Sequence, residues 1–219
     1  MKNITKVKNK EADKWFLRNV NSYNDESPDD KIKNLIKVNN VKAKKILEIG
    51  CANGFRLNQY SKLLKTKINY GVDLSKKAIL SGKKKYKNLD LLNISSLEID
   101  KIKSNFDLII CGFFLYQLDR EHIFDQFNLI YKKLNKNGLL IINDFDPLFK
   151  HTNKDTNTKN LMSYKMSYDI FLPESGLFEL IYKLKYKTLT NDLRKFKSDK
   201  VSLTLFRKIN FQKQYPENV

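Results

Sequence analysis

Apolar residues in this chain come in short runs that alternate with helical stretches, and that alternation predicts the architecture. Trp15, Phe16 and Val20 fall at helical spacing within the first 40 residues. Ser27-Pro28-Asp29-Asp30 reads as a helix start, with a Ser cap, Pro at the first helical position and two acids facing the positive end of the helix dipole. Ile32, Leu35, Ile36 and Val38 are then expected to share one face. From Lys44 onward, Ile46-Leu47-Glu48-Ile49 predicts a first strand, followed by a helix through Leu57, Tyr60, Leu63 and Leu64. A second strand is predicted over 68–72, a second helix over 76–86 and a third strand over 89–94. The run 106–111 is the most apolar and is expected at the centre of a sheet. An amphipathic helix over 120–134, closed by Asn137-Gly138, leads to a fifth strand over 139–142. Strands separated in this way by helices mean βαβ units, so the fold class is α/β with a parallel, doubly wound sheet.

Past Asp146 the rhythm breaks. Residues 147–175 are too irregular for another βα unit, while 177–189 and 200–209 predict two longer strands joined around Thr190-Asn191-Asp192 and paired antiparallel at the sheet edge. No internal repeat and no Pro/Gly-rich linker divides the chain, so one domain over 1–219 is expected. It comprises N-terminal helices forming a lid (1–40), a core (41–146) and a second lid with the terminal strands (147–219).

Composition narrows the setting. The 219 residues are 41% hydrophobic and 12% aromatic, enough to build a core. The longest apolar run, Leu108 to Leu115, is far short of the ~20 residues a membrane span needs, and no secretory signal opens the chain. The expectation is a cytoplasmic protein without membrane contact, monomeric or homodimeric. Cys51 and Cys111 are too few and too far apart for a disulfide scaffold or a zinc ribbon. The net charge of +18 raises the question of nucleic acid. Yet only five of the 42 basic residues are Arg, and the surplus is spread along the chain (net +11 over 1–149, net +7 over 150–219). A solvated Lys-rich surface is favoured over a nucleic-acid footprint, which would more often cluster Arg.

In a doubly wound sheet ligands bind at the carboxyl ends of the strands. After the first strand stands Glu48-Ile49-Gly50-Cys51-Ala52-Asn53-Gly54, whose glycines suit close approach of backbone to a ligand. Ala52 and Phe55 depart from the dinucleotide pattern, and no Lys follows Gly54 as a phosphate-cradling loop needs. The second strand ends at Asp73, an acid able to accept both hydroxyls of a ribose, and the third ends near Asn93, whose amide could meet an adenine edge. Plainer roles stand beside these: helix capping for Asp73, a turn for Asn93, a small loop residue for Cys51, a core anchor for Trp15.

These motifs, with Gly71-Val72-Asp73-Leu74-Ser75, Phe106-Asp107-Leu108-Ile109-Ile110 and Leu134-Asn135-Lys136-Asn137-Gly138-Leu139-Leu140, resemble class I S-adenosylmethionine-dependent methyltransferases of the type 11/12 kind. The match covers about residues 40–145, with Ala52 in place of the middle glycine of the family's first loop. The resemblance implies a Rossmann-like seven-stranded sheet, mostly parallel with an antiparallel edge hairpin and helices on both faces. It implies S-adenosylmethionine as cofactor and S-adenosylhomocysteine as product. Glu48, Gly50, Cys51, Asn53 and Gly54 would hold the methionine moiety, Asp73 the ribose, and Leu74, Asn93 and Ile94 the adenine. Cys111 and Gly112 would lie near the sulfonium, with Trp15 and Tyr23 closing over the cofactor.

The acceptor is less legible. Cys111-Gly112-Phe113-Phe114 is unlike the motif of enzymes that methylate exocyclic base amines, and no Pro-Cys nucleophile is present. Tyr116 and Gln117 stand where many small-molecule methyltransferases carry a His pair. Asp144, Asp146 and His151 are the catalytic candidates; a metal site built from them is the weaker reading, and no metal is expected. Tyr116, Tyr164, Lys165 and Tyr168 are candidate acceptor-binding residues, a packed lid being the alternative. Their surroundings are similar to small methyltransferases of bacterial surface-polysaccharide gene sets, implying O-methylation of a sugar or another small polar acceptor. A methyltransferase acting on RNA or protein, and a protein that binds the cofactor without turning it over, are the alternatives.

Overall fold

The computed structural model describes residues 2–23, 30–154, 162–187 and 200–210. The predicted helix start at Ser27-Pro28-Asp29 and the connection at Thr190-Asn191-Asp192 lie outside these. Nine strands and six α-helices are seen among the described residues. Seven strands form one sheet in the order β3-β2-β1-β4-β5-β9-β8, with β1 at Lys45–Ile49, β2 at Ile68–Val72, β3 at Asp90–Leu92, β4 at Phe106–Gly112, β5 at Leu134–Phe145, β8 at Phe178–Lys187 and β9 at Lys200–Lys208. The apolar run at β4 holds the middle place, as its composition requires. The chain divides into two compact units, Met1–Phe106 and Asp107–Val219.

In the first unit β1 pairs parallel with β2 and β2 with β3. The intervening helices are α3 (Phe55–Leu64) and α4 (Lys76–Lys85). Ile46, Leu47 and Ile49 are fully buried, as are Leu57 and Tyr60 of α3 and Ala78 and Ile79 of α4. Two further helices precede them, α1 (Lys2–Arg18) and α2 (Lys31–Val38). Asp30 caps α2 by accepting the N–H groups of Ile32 and Lys33, and Ile32, Leu35 and Ile36 form its buried face, whereas Val38, expected on that face, is exposed at the helix's last position.

In the second unit β5 pairs antiparallel with β9, and β9 with β8, so the two long C-terminal strands close that edge as their pattern predicts. Helix α5 (Ile123–Lys133) follows a 3₁₀ turn at Arg120–His122. The predicted closure of this helix by Asn137-Gly138 is not what forms. The helix stops at Lys133 because Leu134 already turns into extended backbone, and Asn137, at φ 58°, makes a left-handed bend inside the long β5. The irregular stretch after β5 folds into a separate hairpin, β6 (His151–Lys154) with β7 (Met162–Lys165), and a short helix α6 (Phe171–Glu174).

Candidate active site

In the first unit the chain leaves β1 through a loop that glycine makes possible. Gly50 and Gly54 sit at φ 75° and 76°, and Ala52 is forced to φ 49°, which explains why the family's loop has glycine there. Helix α4 rests directly on this loop, because a Cβ on Gly82 would come within 2.2 Å of the Asn53 carbonyl oxygen. Asn53 is buried and accepts the Phe55 N–H, holding the start of α3. Cys51 is also buried; its thiol contacts the Ala52 carbonyl and burial raises its proton affinity, so it is poorly suited to nucleophilic work.

Two carboxylates flank the loop. Glu48 is almost wholly buried, and its Oε2 has no partner among the described residues. Burial lifts its pKa from 4.5 to about 8, against the opposing charge of Arg56. Asp73, at the end of β2, accepts the Ala52 N–H at Oδ2 (2.9 Å) and the Ser75 N–H at Oδ1 (2.7 Å). Burial raises its proton affinity in spite of those bonds. Asn93 donates both amide hydrogens, to the Asp73 and Leu74 carbonyls, each at 2.9 Å. Its side-chain oxygen is thereby left as an acceptor, beside Leu74 and Ile94. Trp15 and Val20 pack with Phe55 around the buried cluster of Phe16, Ala52 and Ala78. The first unit thus brings Trp15 to the loop; Tyr23 ends a 3₁₀ turn, and its side chain lies outside those described.

In the second unit, β4 ends at Cys111 and Gly112, followed by Phe113 at φ 52°, whose N–H donates to the Asn143 carbonyl (2.7 Å). A bulky residue in that region is strained, and such strain gathers at ligand sites. The Phe113 and Tyr116 rings both meet Phe145 edge-on, at 5.9 and 5.1 Å, and the Lys165 ammonium stands 4.1 Å over the Phe145 ring. Beneath them Asp144 accepts the N–H groups of Tyr116 and Phe145, and burial lifts its pKa to about 7.

Arg120 organises the neighbouring loop, a role the sequence did not assign to it. It donates to the Leu115 and Leu118 carbonyls and to the Tyr168 hydroxyl (3.3 Å), and stacks over the Tyr164 ring at 5.1 Å. Tyr168 is buried, so the structure gives its hydroxyl to Arg120. Asp146 is also buried and is engaged by Lys183 (2.9 Å), Lys185 (3.3 Å) and the Ser167 hydroxyl, while Lys183 also reaches Asp169 (2.6 Å). Burial alone would raise its pKa, but the Ser167 and Lys183 bonds outweigh burial and hold it below the usual value. His151 shares its Nδ1 with the Phe149 carbonyl (2.9 Å), which leaves Nε2 buried and without a partner among the described residues. No hydrogen bond or ion pair joins Asp144, Asp146 and His151 to one another among the described residues. Among the described residues, the His, Asp and Glu side chains that gather closely enough to share an ion are instead Asp119, Glu121 and His122, with Glu121 exposed and the other two half-buried.

Residues 40–196 match the family model described as a methyltransferase domain, and the chain belongs to that family. An uncharacterized protein of Rickettsia prowazekii (strain Madrid E) is 35% identical over 103 residues, which are 45% of this chain and 41% of that protein. The chain therefore matches about two fifths of that relative's length. Among solved structures, the Burkholderia thailandensis 1,6-didemethyltoxoflavin-N1-methyltransferase, with bound 1,6-didemethyltoxoflavin and S-adenosylhomocysteine, is 12% identical. It has a TM-score of 0.72 over 95% of this chain and 90% of that one. A Methanosarcina mazei S-adenosylmethionine-dependent methyltransferase gives 16% and 0.64 over 84% and 99%. N-methyltransferase NodS from Bradyrhizobium japonicum WM9, in complex with S-adenosylhomocysteine, gives 17% and 0.60 over 89% and 98%. At these identities the likeness shows the fold, which is that of the class I enzymes. The family match makes residues 40–196 a methyltransferase domain, and the fold agrees with it. No helix among the described residues is long and apolar enough to cross a membrane.

Proposed function

We propose that this methyltransferase acts on an oxygen of a small polar molecule, such as a sugar or glycan precursor, with the first unit holding the methyl donor. The observation that carries the donor half is the pair of enclosed carboxylates beside the loop: Glu48, with an oxygen orphaned among the described residues, and Asp73, fixed by two N–H groups. These residues fit the cofactor. Glu48 would pair with the methionine ammonium, Asp73 would accept the ribose hydroxyls, and the Asn93 oxygen would accept the adenine amine between Leu74 and Ile94. When bound, S-adenosylmethionine supplies a methyl group on a good leaving group, so the protein's own share is positioning, desolvation and proton handling.

For proton handling the second unit offers Asp144. At about 7 its pKa suits it to take a hydroxyl proton near neutral pH, whereas Asp146 is held ionised by lysines and is a weaker base. The Phe113, Tyr116 and Phe145 rings are half-buried, which suits stacking on a sugar ring. Tyr164 and Lys165 supply polar groups beside them. Methylation at nitrogen is the second reading, favoured by the two N-methyltransferases among the structural neighbours. The even spread of Lys supports a small-molecule acceptor over nucleic acid.

The test is product formation from nucleotide-sugar, glycan, amine and RNA pools with isotopically labelled S-adenosylmethionine. An O-methylated sugar supports the reading, and an N-methylated product replaces it with the second one. A methylated RNA overturns both, and cofactor binding without product from any pool turns the protein into a binder.

A further inference from the structure

The end of the first unit that would hold the ribose is tied to α1 by hydrogen bonds to Asp13. Asp13 Oδ1 accepts the Ser75 hydroxyl (2.7 Å) and the Lys77 N–H (2.9 Å), so a residue of α1 caps the start of α4 across 62 positions of sequence. Ser75 is fully committed by this bond. Its N–H goes to Asp73 Oδ1 at 2.7 Å, its Oγ accepts the Ala78 N–H at 3.0 Å, and its hydroxyl hydrogen goes to Asp13. Three residues further along α1, Phe16 is buried against Ala52 and Ala78. Ala52 is the residue whose N–H holds the other oxygen of Asp73. Both donors that aim the Asp73 carboxylate are therefore braced by α1: Ser75 through Asp13, and Ala52 through Phe16.

We propose that Asp13 is a positioning residue for the cofactor, docking α1 onto the start of α4 so that Asp73 is held in the geometry that grips the ribose. The inference rests on the donor assignment above. Asp13 acts through Ser75 and contacts no part of the cofactor itself. The link is a hydrogen bond from a hydroxyl and an N–H, so a neutral acceptor at position 13 serves nearly as well as a carboxylate. A side chain with no acceptor leaves two donors at the start of α4 unpaired and frees α1.

The test is calorimetric titration of the full chain with S-adenosylhomocysteine, read together with the emission of Trp15, the only tryptophan in the sequence. Asp13→Ala is expected to weaken binding at least fivefold and to shift Trp15 emission to longer wavelength. Asp13→Asn is expected to bind within twofold of wild type with unshifted emission. Should Asp13→Ala unfold, Ser75→Ala takes its place, since it breaks the link to Asp13 while keeping the backbone N–H that serves Asp73; a threefold or greater loss is expected. Undiminished binding by Asp13→Ala, or by Ser75→Ala in its stead, overturns the proposal, as does Asp13→Asn binding as weakly as Asp13→Ala. Wild-type protein that does not bind S-adenosylhomocysteine overturns the donor assignment itself, an outcome distinct from these.

Discussion

Asp73 in the first unit and Asp146 in the second both stand just past the end of a strand, after β2 and after β5, and both are largely enclosed by protein. Among the described residues Asp73 is held by backbone N–H groups, and burial still raises its proton affinity. Asp146 faces two lysine ammonium groups and a serine hydroxyl, and its proton affinity falls below the usual value. Neutral donors orient a carboxylate without cancelling its charge, whereas lysines cancel it. The first arrangement leaves capacity for a ligand; the second serves the protein, fastening β8 and the 167–169 segment to the end of β5. Glu48 and Asp144 belong with Asp73 in this contrast, each lifted by burial.

The comparison can be broken at each of these groups. Asp144→Asn should lower the methylation rate by about 10²-fold or more, the usual scale for a general base. The wild-type rate should rise with pH through about 7, as Asp144 loses its proton, and the variant should lose that rise. Undiminished turnover by Asp144→Asn with an oxygen acceptor would move the base to His151, whose Nε2 has no partner among the described residues.

Asp146→Asn should cost stability rather than chemistry, about 1–3 kcal/mol by chemical denaturation, because Lys183 keeps Asp169 but loses its buried partner. Since the Asp146 pKa is lowered on folding, its stabilisation is present above the usual carboxylate range and fades as pH falls through its folded value. A variant with native stability and no activity would reverse this assignment.

Glu48 predicts the opposite slope. Its folded pKa of about 8 lies above the ordinary 4.5, so the folded state holds a proton that the unfolded state has released, and stability declines as pH rises between those values. Glu48→Gln should flatten that part of the Tm-against-pH curve. In the wild type, S-adenosylhomocysteine should release close to one proton at pH 7, as its ammonium draws Glu48 into the ionised form. Calorimetry in buffers of different ionisation enthalpy would show no such release in Glu48→Gln.

The smallest effect is expected at Ala52. Replacing it by Gly relieves a left-handed alanine, worth about 1–2 kcal/mol, but uncovers a buried methyl contact worth about 0.8 kcal/mol. The net change in unfolding free energy should stay within about 1 kcal/mol.

The alternation of strands and helices, the central place of β4, the two antiparallel strands at the edge and the loop after β1 were readable in the chain, because period and glycine placement are local properties. The places of Asp73 and Asn93 at strand ends were readable for the same reason, each ending an apolar run, but not that the Asn93 amide is spent on the Asp73 and Leu74 carbonyls. Asp13, Gly82 and Arg120 were not. Asp13 looks like one more charge on a polar helix, and only folding brings it to Ser75. Gly82 sits in a Lys-rich stretch of α4 and shows its purpose only against the Asn53 carbonyl. Arg120 matters through carbonyls and rings from three segments. The end of α5 was misplaced because Asn-Gly signals a left-handed bend without saying whether a helix or a strand carries it.

The most direct test of the account is calorimetric titration with S-adenosylhomocysteine of the wild type and of Asp73→Ala. The account predicts saturable binding that the substitution weakens at least tenfold, about 1.4 kcal/mol or more. Binding that survives the loss of Asp73 at full strength would contradict it.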